Sequence, residues 1–406
     1  MKDVKIADYL WFQEGPGVRN TQYTTSGVKL INVANLVDGN VDLSTSDRYI
    51  SEEEAYGKYN HFLADDGDFV IASSGIKIDY FDKKMGFIKK EHLPLCMNTS
   101  CIRFKVLDTN NLEIKYFMYY LKSNSFKKQL FNQITGSAQL NFGPSHLKKM
   151  TFPLIELKEQ KRIIERLDKT QNIINETKSL LSKYDTLIKS RFIEMFGETV
   201  QNPMGWEVKP MGDLLSVLTD FSANGSYKTL DSNVIMYDEP NYALMIRTTD
   251  LESGDFRNNV KWVDEKAYNL LSKSKIYGKE IIMNKIGSAG KVYLMPELNI
   301  PVTLGRNAFL FRYKENINSV YIYFLLTSEY GQNEIKPYIR GAVTKTITKD
   351  DVRKIRIPVP PLTLQNNFAA FVQQIDKSKF EIWLTLQNYD IIEKECFKIW
   401  LISTSC

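Results

Sequence analysis

The chain has 406 residues, of which 43% are hydrophobic and 25% charged, so it is long enough to bury more than one core. Its formal net charge of +5 is compatible with a polyanionic partner but does not require one. Four cysteines without a CxxC pair, and the absence of any run of about eighteen apolar residues, argue against a metal site and a membrane span and indicate a cytoplasmic protein.

The first predicted domain covers residues 1–155. Short apolar or alternating runs, such as 67–72 and 100–106, are separated by Gly, Asn and Asp residues that favour turns. This pattern is typical of an α+β domain.

Residues 156–197 are predicted to form one long helix. No glycine or proline occurs between Glu156 and Phe196, and apolar residues recur at helical spacing. A helix of about 40 residues would be about 60 Å long at 1.5 Å per residue. Its predicted packing surface consists of Leu167, Ile174, Leu181, Tyr184, Ile188 and Phe192.

The same two segments follow a second time. Residues 198–360 again mix short strand-like runs with turns, and residues 361–401 contain a second Gly-free and Pro-free stretch. We therefore expect a second α+β domain and a second long helix. The packing surface of this helix is predicted to consist of Phe368, Ile375, Ile382, Tyr389 and Phe397.

An internal repeat with a shift of 205 residues connects the two halves. Gln160, Tyr184 and Phe192, for example, recur as Gln365, Tyr389 and Phe397. Two matched amphipathic helices in one chain favour pairing with each other, as an antiparallel coiled coil with pseudo-twofold symmetry. The alternative is that each helix is an ordinary core helix of its own domain.

The segments at the domain–helix junctions occur in the same order in both halves. In the first half they are GSAQLN (136–141), LKKMTFPL (147–154), EQKRII (159–164) and FIEMFG (192–197), and in the second GWEV (205–208), GAVT (341–344) and VRKIRIPVPPL (352–362). Through their order and duplication, more than through any one of them, these segments resemble one family, the specificity subunits of type I restriction-modification enzymes.

The resemblance implies a non-catalytic DNA-recognition subunit. Each of its two target-recognition domains would read one half of a bipartite, asymmetric site in double-stranded DNA, and the paired helices would fix the separation of the two domains. The helices would also dock two modification (methyltransferase) subunits, which carry S-adenosylmethionine. Restriction subunits, which use ATP and Mg²⁺, would join the same complex.

Two other functions remain open at this point. A fused DNA methyltransferase or nuclease would need its own catalytic motif, and neither a cofactor-binding glycine loop nor an Asn/Asp-Pro-Pro-aromatic motif is convincing. The loop Gly287–Lys291 lacks the spacing of a phosphate-binding Walker motif. A coiled-coil scaffold without a role in DNA binding would leave the resemblance unexplained.

Candidate DNA contacts are polar and basic residues in predicted loops, since Lys and Arg bind phosphates while Arg, Asn and Gln also recognise base edges. The candidates in the segment 287–291 have an alternative interpretation, because this segment is as typical of a hairpin turn as of a DNA-contacting loop. The candidates are Arg19, Asn20, Gln22, Tyr23, Lys77, Gln139, Asn141, Ser288, Lys291, Arg340 and Lys345.

Overall fold

A computed structural model describes residues 2–133, 140–197 and 202–402, with only the backbone described for residues 140 and 387–402. The chain divides into two compact units, Met1–Glu176 with Leu386–Cys406, and Thr177–Thr385. In the part of the chain that is described, no helix is both long and apolar enough to cross a lipid bilayer.

The described residues of the first unit form thirteen short strands, most of which belong to two sheets. The larger sheet has the antiparallel order β2-β11-β7-β9, and the smaller has the order β10-β3-β6. The strands are β1 (Lys2–Lys5), β2 (Leu10–Glu14), β3 (Val28–Ile31), β4 (Leu36–Val37), β5 (Asn40–Val41), β6 (Tyr49–Ile50), β7 (Phe69–Ala72), β8 (Ser74–Ile76), β9 (Met85–Phe87), β10 (Leu95–Met97), β11 (Cys101–Val106), β12 (Leu140–Asn141) and β13 (Thr151–Leu154).

Helices contribute large side chains to the core of this unit. Phe117, Tyr120 and Phe126 belong to the same buried cluster as the apolar side chains of β7 and β11. The helices are α1 (Ile6–Tyr9), α2 (Glu52–Tyr56), α3 (Ile114–Lys122), α4 (Asn124–Gln133) and α5 (Pro144–Leu147). The first long helix, α6 (Leu157–Phe196), begins after β13.

The second unit repeats the larger sheet of the first. Its antiparallel order is β15-β22-β19-β20, and a second four-stranded sheet has the order β17-β16-β21-β18. The strands are β14 (Val208–Pro210), β15 (Leu215–Asp220), β16 (Ala243–Ile246), β17 (Lys261–Val263), β18 (Lys275–Ile276), β19 (Ile281–Asn284), β20 (Val292–Leu294), β21 (Val302–Leu304), β22 (Ala308–Tyr313) and β23 (Arg356–Pro358). The helices are α7 (Met211–Leu214), α8 (Tyr227–Asn233), α9 (Thr248–Ser253), α10 (Glu265–Leu270), α11 (Ser319–Thr327), α12 (Glu329–Ile335), α13 (Lys349–Lys354) and α14 (Leu362–Ile402).

Equivalent hydrogen bonds at the start of the two long helices are made by residues that lie 205 positions apart in the two repeats. Gln160 accepts from the Glu113 backbone N–H at 2.9 Å, and Gln365 accepts from the Asn318 N–H at 2.9 Å. Their amide groups donate to the carbonyls of Ile155 and Pro360, both at 2.8 Å. Both glutamines are fully buried. The sequence repeat is therefore also a repeat of buried polar contacts.

A pair of tyrosines extends this junction in the same register. The Tyr116 hydroxyl donates to the Pro153 carbonyl at 2.7 Å, and the Tyr321 hydroxyl donates to the Pro358 carbonyl at 2.8 Å. The α+β class, the tandem domains and the two long helices predicted from the sequence are confirmed.

Within the second unit the two long helices lie antiparallel. Phe192 of α6 contacts Phe368 of α14 edge-on, with ring centroids 5.3 Å apart. Asp185, which precedes Phe192 in α6, accepts a hydrogen bond of 2.7 Å from Lys379, which follows Phe368 in α14. The two helices therefore run in opposite directions. Lys379, which interrupts an apolar column of α14, therefore has an ionic partner on the other helix.

The predicted helix-packing residues are buried to different degrees. Leu167, Ile174, Ile188, Phe192, Phe368 and Ile375 are buried. Leu181, Tyr184 and Ile382 are half-buried. The side chains of Tyr389 and Phe397 lie outside the described residues, so a packing role for these two stays a prediction.

Helix α6 ends at a glycine that its geometry requires. Gly197 has φ of +83°, and its N–H donates to the Ile193 carbonyl at 2.8 Å. A Cβ at this position would lie 2.7 Å from the Pro203 ring, so a larger residue would be both strained and crowded.

Candidate nucleic-acid interface

Each unit has one edge at which two separate loops meet, and we call this the paired-loop edge. In the first unit, β8 pairs with β12, and the Phe142 N–H donates to the Ser73 carbonyl at 3.0 Å. In the second, the Ile347 N–H donates to the Lys285 carbonyl at 3.1 Å. Phe142 and Ile347 are 205 residues apart, so the same backbone contact forms both edges.

The paired-loop edge of the second unit brings together two loops predicted separately. Gly287–Lys291 joins the paired strands β19 and β20, so it is the hairpin turn that the sequence allowed. The Gly287 N–H donates to the Lys345 carbonyl at 3.0 Å, which links this turn to the segment that follows Arg340. A groove of about 730 Å³ lies between them, lined by Ser288, Lys291 and Lys345 among others.

Charged partners orient the side chains of this edge. The Ser288 hydroxyl donates to Glu252 at 2.6 Å, and the Lys291 ammonium lies 4.0 Å from the same carboxylate. Arg340 donates to Asp351 at 2.8 Å, yet 68% of the Arg340 side chain is exposed. The cationic groups of Lys291 and Arg340 are thus held in place while they remain accessible.

The paired-loop edge of the first unit carries fewer charges. Lys77 and Asn141 are exposed there. Lys77 also lines a groove of about 440 Å³ together with Tyr80 and Lys83. Gln139, predicted as a neighbouring contact, lies outside the described residues.

The turn at Arg19–Tyr23 divides its candidates into two groups. The Gln22 amide donates to Glu54 at 2.6 Å and to the Tyr59 hydroxyl at 3.1 Å, so a DNA contact by Gln22 would have to break these bonds. Tyr23 is half-buried and packs against the Arg48 guanidinium, 5.4 Å from the ring centroid. Arg19 and Asn20 are exposed.

Sequence reasoning missed a cluster of charges beside the second paired-loop edge. Asp220, at the end of β15, accepts from Lys285 at 2.9 Å and from Lys349 at 2.8 Å. Burial acts to raise the pKa of Asp220, but the hydrogen bonds from the two lysines outweigh it and hold the pKa below its usual value.

Arg306 is a further missed cation at this end of the sheet. Its guanidinium lies 5.2 Å from the Phe221 ring centroid and 5.5 Å from that of Tyr227, a side chain that is 74% exposed. It also donates to Asp231 at 3.0 Å. The next residue, Asn307, accepts from the Lys285 N–H at 2.8 Å, which places Arg306 near the paired-loop edge.

The comparison of the two repeats contained a signal for these residues. Pro144 lies 205 positions before Lys349, and Ser73 makes the backbone contact that Lys285 makes in the second unit. Two lysines therefore replace uncharged residues at corresponding positions. Such differences identify positions at which the two edges share a backbone contact but carry different side chains.

Known proteins match this chain over nearly its whole length. The family model for the type I restriction modification DNA specificity domain matches twice, at residues 19–182 and 203–388. The MjaIX type I restriction enzyme specificity subunit of Methanocaldococcus jannaschii is 24% identical over 309 residues, which cover 72% of this chain and 68% of that protein.

Two solved structures share the fold. The S subunit of a type I restriction-modification system from M. genitalium aligns with a TM-score of 0.53 at 15% identity, covering 98% of this chain and 95% of that one. A chain from a study of complex assembly in the type I restriction-modification system aligns with a TM-score of 0.53 at 14% identity, covering 96% and 97%.

The duplicated fold, the duplicated edge and the duplicated match of the family model lead to the same conclusion. The chain belongs to the DNA specificity family of type I restriction-modification systems, and it is a DNA-recognition subunit.

Proposed function

We propose that the chain binds double-stranded DNA through its two paired-loop edges, and that each edge recognises one half of a bipartite, asymmetric site. One observation carries the proposal: the two repeats build the same edge from equivalent backbone hydrogen bonds but fill it with different side chains. Two edges with the same backbone arrangement but different side chains are suited to bind two half-sites of different sequence.

The chemistry of the exposed groups supports this assignment. The second edge presents Lys291, Arg306, Arg340 and Lys345, which are suited to phosphate oxygens and to the acceptors on guanine. The first edge presents the amide of Asn141 and the ammonium of Lys77. We propose that phosphate contacts position each edge and that the amide and guanidinium groups contribute base recognition.

The long helices have exposed apolar side chains suited to partner subunits. In α14, Phe380 and Trp383 are 59% and 46% exposed, with ring centroids 6.1 Å apart. In α6, Leu180 and Leu187 are 41% and 45% exposed. Such side chains on the helices of one unit are typical of a protein interface. We propose that two modification subunits dock on the helices and that restriction subunits join them.

The chemistry of modification and cleavage is assigned to these partners. We propose that the chain itself is non-catalytic, that S-adenosylmethionine binds the modification subunits, and that ATP and Mg²⁺ bind the restriction subunits. The complex would act on genomic DNA in the cytoplasm. Methylation by this chain alone would contradict the proposal.

Genome-wide methylation mapping tests the proposed function directly. The chain is expressed with a modification subunit in a host without its own modification systems, and each protein is also expressed alone. We expect a two-part asymmetric motif on co-expression only. Replacing residues 1–152 by the corresponding domain of a relative should change one half of the motif and leave the other half intact. A motif that changes in both halves, or in neither, would contradict one edge per half-site.

A double substitution tests the role of the second paired-loop edge in phosphate binding. With Lys291 and Lys345 both replaced by alanine, the DNA affinity of the complex should fall to a similar extent for specific and non-specific duplexes. The slope of log K against log salt should decrease by about 1.8, from about 0.9 for each lost phosphate contact. Fluorescence anisotropy at several salt concentrations measures both quantities.

The matched control is Lys279→Ala. Lys279 precedes β19, at the opposite end of this strand from the paired-loop edge, and it is exposed. An equal change in slope for Lys279→Ala, or no change for the double variant, would remove this edge from the DNA interface.

A further inference from the structure

Glu14 occupies a special position in the first unit. It is the last residue of β2 and pairs with Ile102 of β11. A Cβ placed on Gly143 would lie 3.3 Å from its Oε2 atom, so the carboxylate is adjacent to the segment that forms the paired-loop edge. The side chain is half-buried.

The second unit has a carboxylate at the equivalent position. Asp220 ends β15 and pairs with Phe309 of β22, as Glu14 pairs with Ile102 of β11. Asp220 is neutralised by Lys285 and Lys349. Ser73 and Pro144 replace these lysines in the first unit. Both repeats therefore have an acidic residue at this position, but only the second repeat has the two lysines that pair with it.

Burial of Glu14 is not compensated by charge in the described part of the chain. Burial raises the pKa of the Glu14 carboxyl, and no cationic neighbour opposes the shift there. A carboxylate at the edge of a DNA-binding surface also repels phosphates. The cost of keeping it there would be offset by a ligand that offers hydrogen-bond donors.

In duplex DNA the donors available to such a group are the amino groups of the bases. In the major groove the N4 amino group of cytosine has no acceptor next to it on its own base, whereas the N6 amino group of adenine is next to the acceptor N7 of the same base. A carboxylate only accepts, so it would be repelled by adenine N7. The chemistry of Glu14 therefore favours cytosine.

We propose that Glu14 is a specificity-determining residue, which accepts a hydrogen bond from the N4 amino group of a cytosine in the half-site bound by the first unit. This inference rests on the proposed DNA-binding role of the paired-loop edge. Asp220, already paired with two lysines, has no such role, so the second half-site is not recognised in this way.

The substitution Glu14→Gln tests the proposal because it keeps the shape of the side chain and adds a donor. Glutamine can pair with both N6 and N7 of adenine. We expect one cytosine position of the first half-site to admit adenine, with the preference for cytosine over adenine reduced at least about tenfold, and the second half-site unchanged. Methylation mapping gives the motif, and affinities of the purified complex for duplexes with C·G or A·T at that position give the preference.

Two further variants complete the experiment. Glu14→Asp keeps the carboxylate and should retain the preference for cytosine at lower affinity. Glu91→Gln changes an exposed carboxylate before β10, at the opposite end of that strand from the paired-loop edge, and should leave the motif unaltered. Thermal unfolding of each complex establishes that the variants fold.

The outcomes separate this inference from the proposed function. An unaltered motif for Glu14→Gln, or an equal gain in affinity for all duplexes, would overturn the role of Glu14 while the bipartite motif of the unsubstituted chain still stands. If the unsubstituted complex produces no sequence-specific methylation, the proposed function itself fails.

Discussion

Replacing Arg103 by methionine is expected to lower the free energy of unfolding of the first unit by about 3–5 kcal/mol, the range found when one partner of a buried ion pair is removed. The Arg103 and Asp68 side chains are only 5% and 2% exposed and are joined at 3.0 Å. Methionine preserves much of the apolar stem, so the effect would come from the polar contacts.

The large size of this effect follows from the number of groups that Arg103 satisfies. Its guanidinium also donates to the Gln13 side chain and the His61 carbonyl, both at 2.9 Å, and to the Leu63 carbonyl. Without it, Asp68 keeps one ionic contact, with Lys105 at 3.5 Å. The variant would leave the two carbonyls and the Gln13 side-chain oxygen without this donor, and the buried Asp68 carboxylate with only Lys105 and the Asp65 N–H as partners.

Amide hydrogen exchange measures this prediction separately for each unit. Peptides from β7 and β11 should exchange faster in Arg103→Met, whereas peptides from β19 and β22 in the second unit should be unaffected. Arg166→Met, at an exposed position on α6, is the control and should change stability by less than about 0.5 kcal/mol. Equal protection of β7 and β11 in Arg103→Met and the unsubstituted chain would show that the ion pair is not needed for stability.

Replacing the buried glutamines at the junctions is expected to cost about 2–4 kcal/mol at each site, because each unsatisfied buried polar group costs about 1–3 kcal/mol. Leucine has a similar volume but cannot pair with the backbone. Gln365→Leu would leave the Asn318 N–H and the Pro360 carbonyl without their partner. Gln160→Leu would affect three backbone groups, because Gln160 also donates to the Asn111 carbonyl at 2.8 Å.

Urea unfolding and hydrogen exchange at the first turns of α6 and α14 measure the effect of these substitutions. Gln160→Leu should destabilise the first unit and Gln365→Leu the second. Gln373→Leu, on an exposed position of α14, is the matched control. If Gln365→Leu were as stable as this control, the repeated hydrogen bonds would not be what holds the helix to its domain.

The fold could be predicted further than the site, for physical reasons. Helix α6 could be predicted from its own segment alone, because the apolar spacing and the absence of Gly and Pro are visible in the sequence. The contact between Gly287 and Lys345 joins residues 58 positions apart, and no local pattern encodes such a pairing. The sequence therefore predicts the two loops but not the contact between them.

Two examples show how a residue type can mislead or remain unnoticed. Gln22 has the right chemistry for a base contact, but its amide is bonded to Glu54 and Tyr59, which only the tertiary structure reveals. Asp220 and Lys285 look like ordinary charges at strand ends. Their pairing requires β15 and β19 to lie on either side of β22.

The junction contacts have a consequence for how this protein can change over evolutionary time. Gln160 of α6 and Gln365 of α14 bind backbone groups of the preceding domain. A backbone contact does not depend on the side chains of the partner segment. A foreign domain with the same backbone course would therefore fit the same helix, so that recombination could install a new target sequence in one step, without point mutations that weaken the old one first.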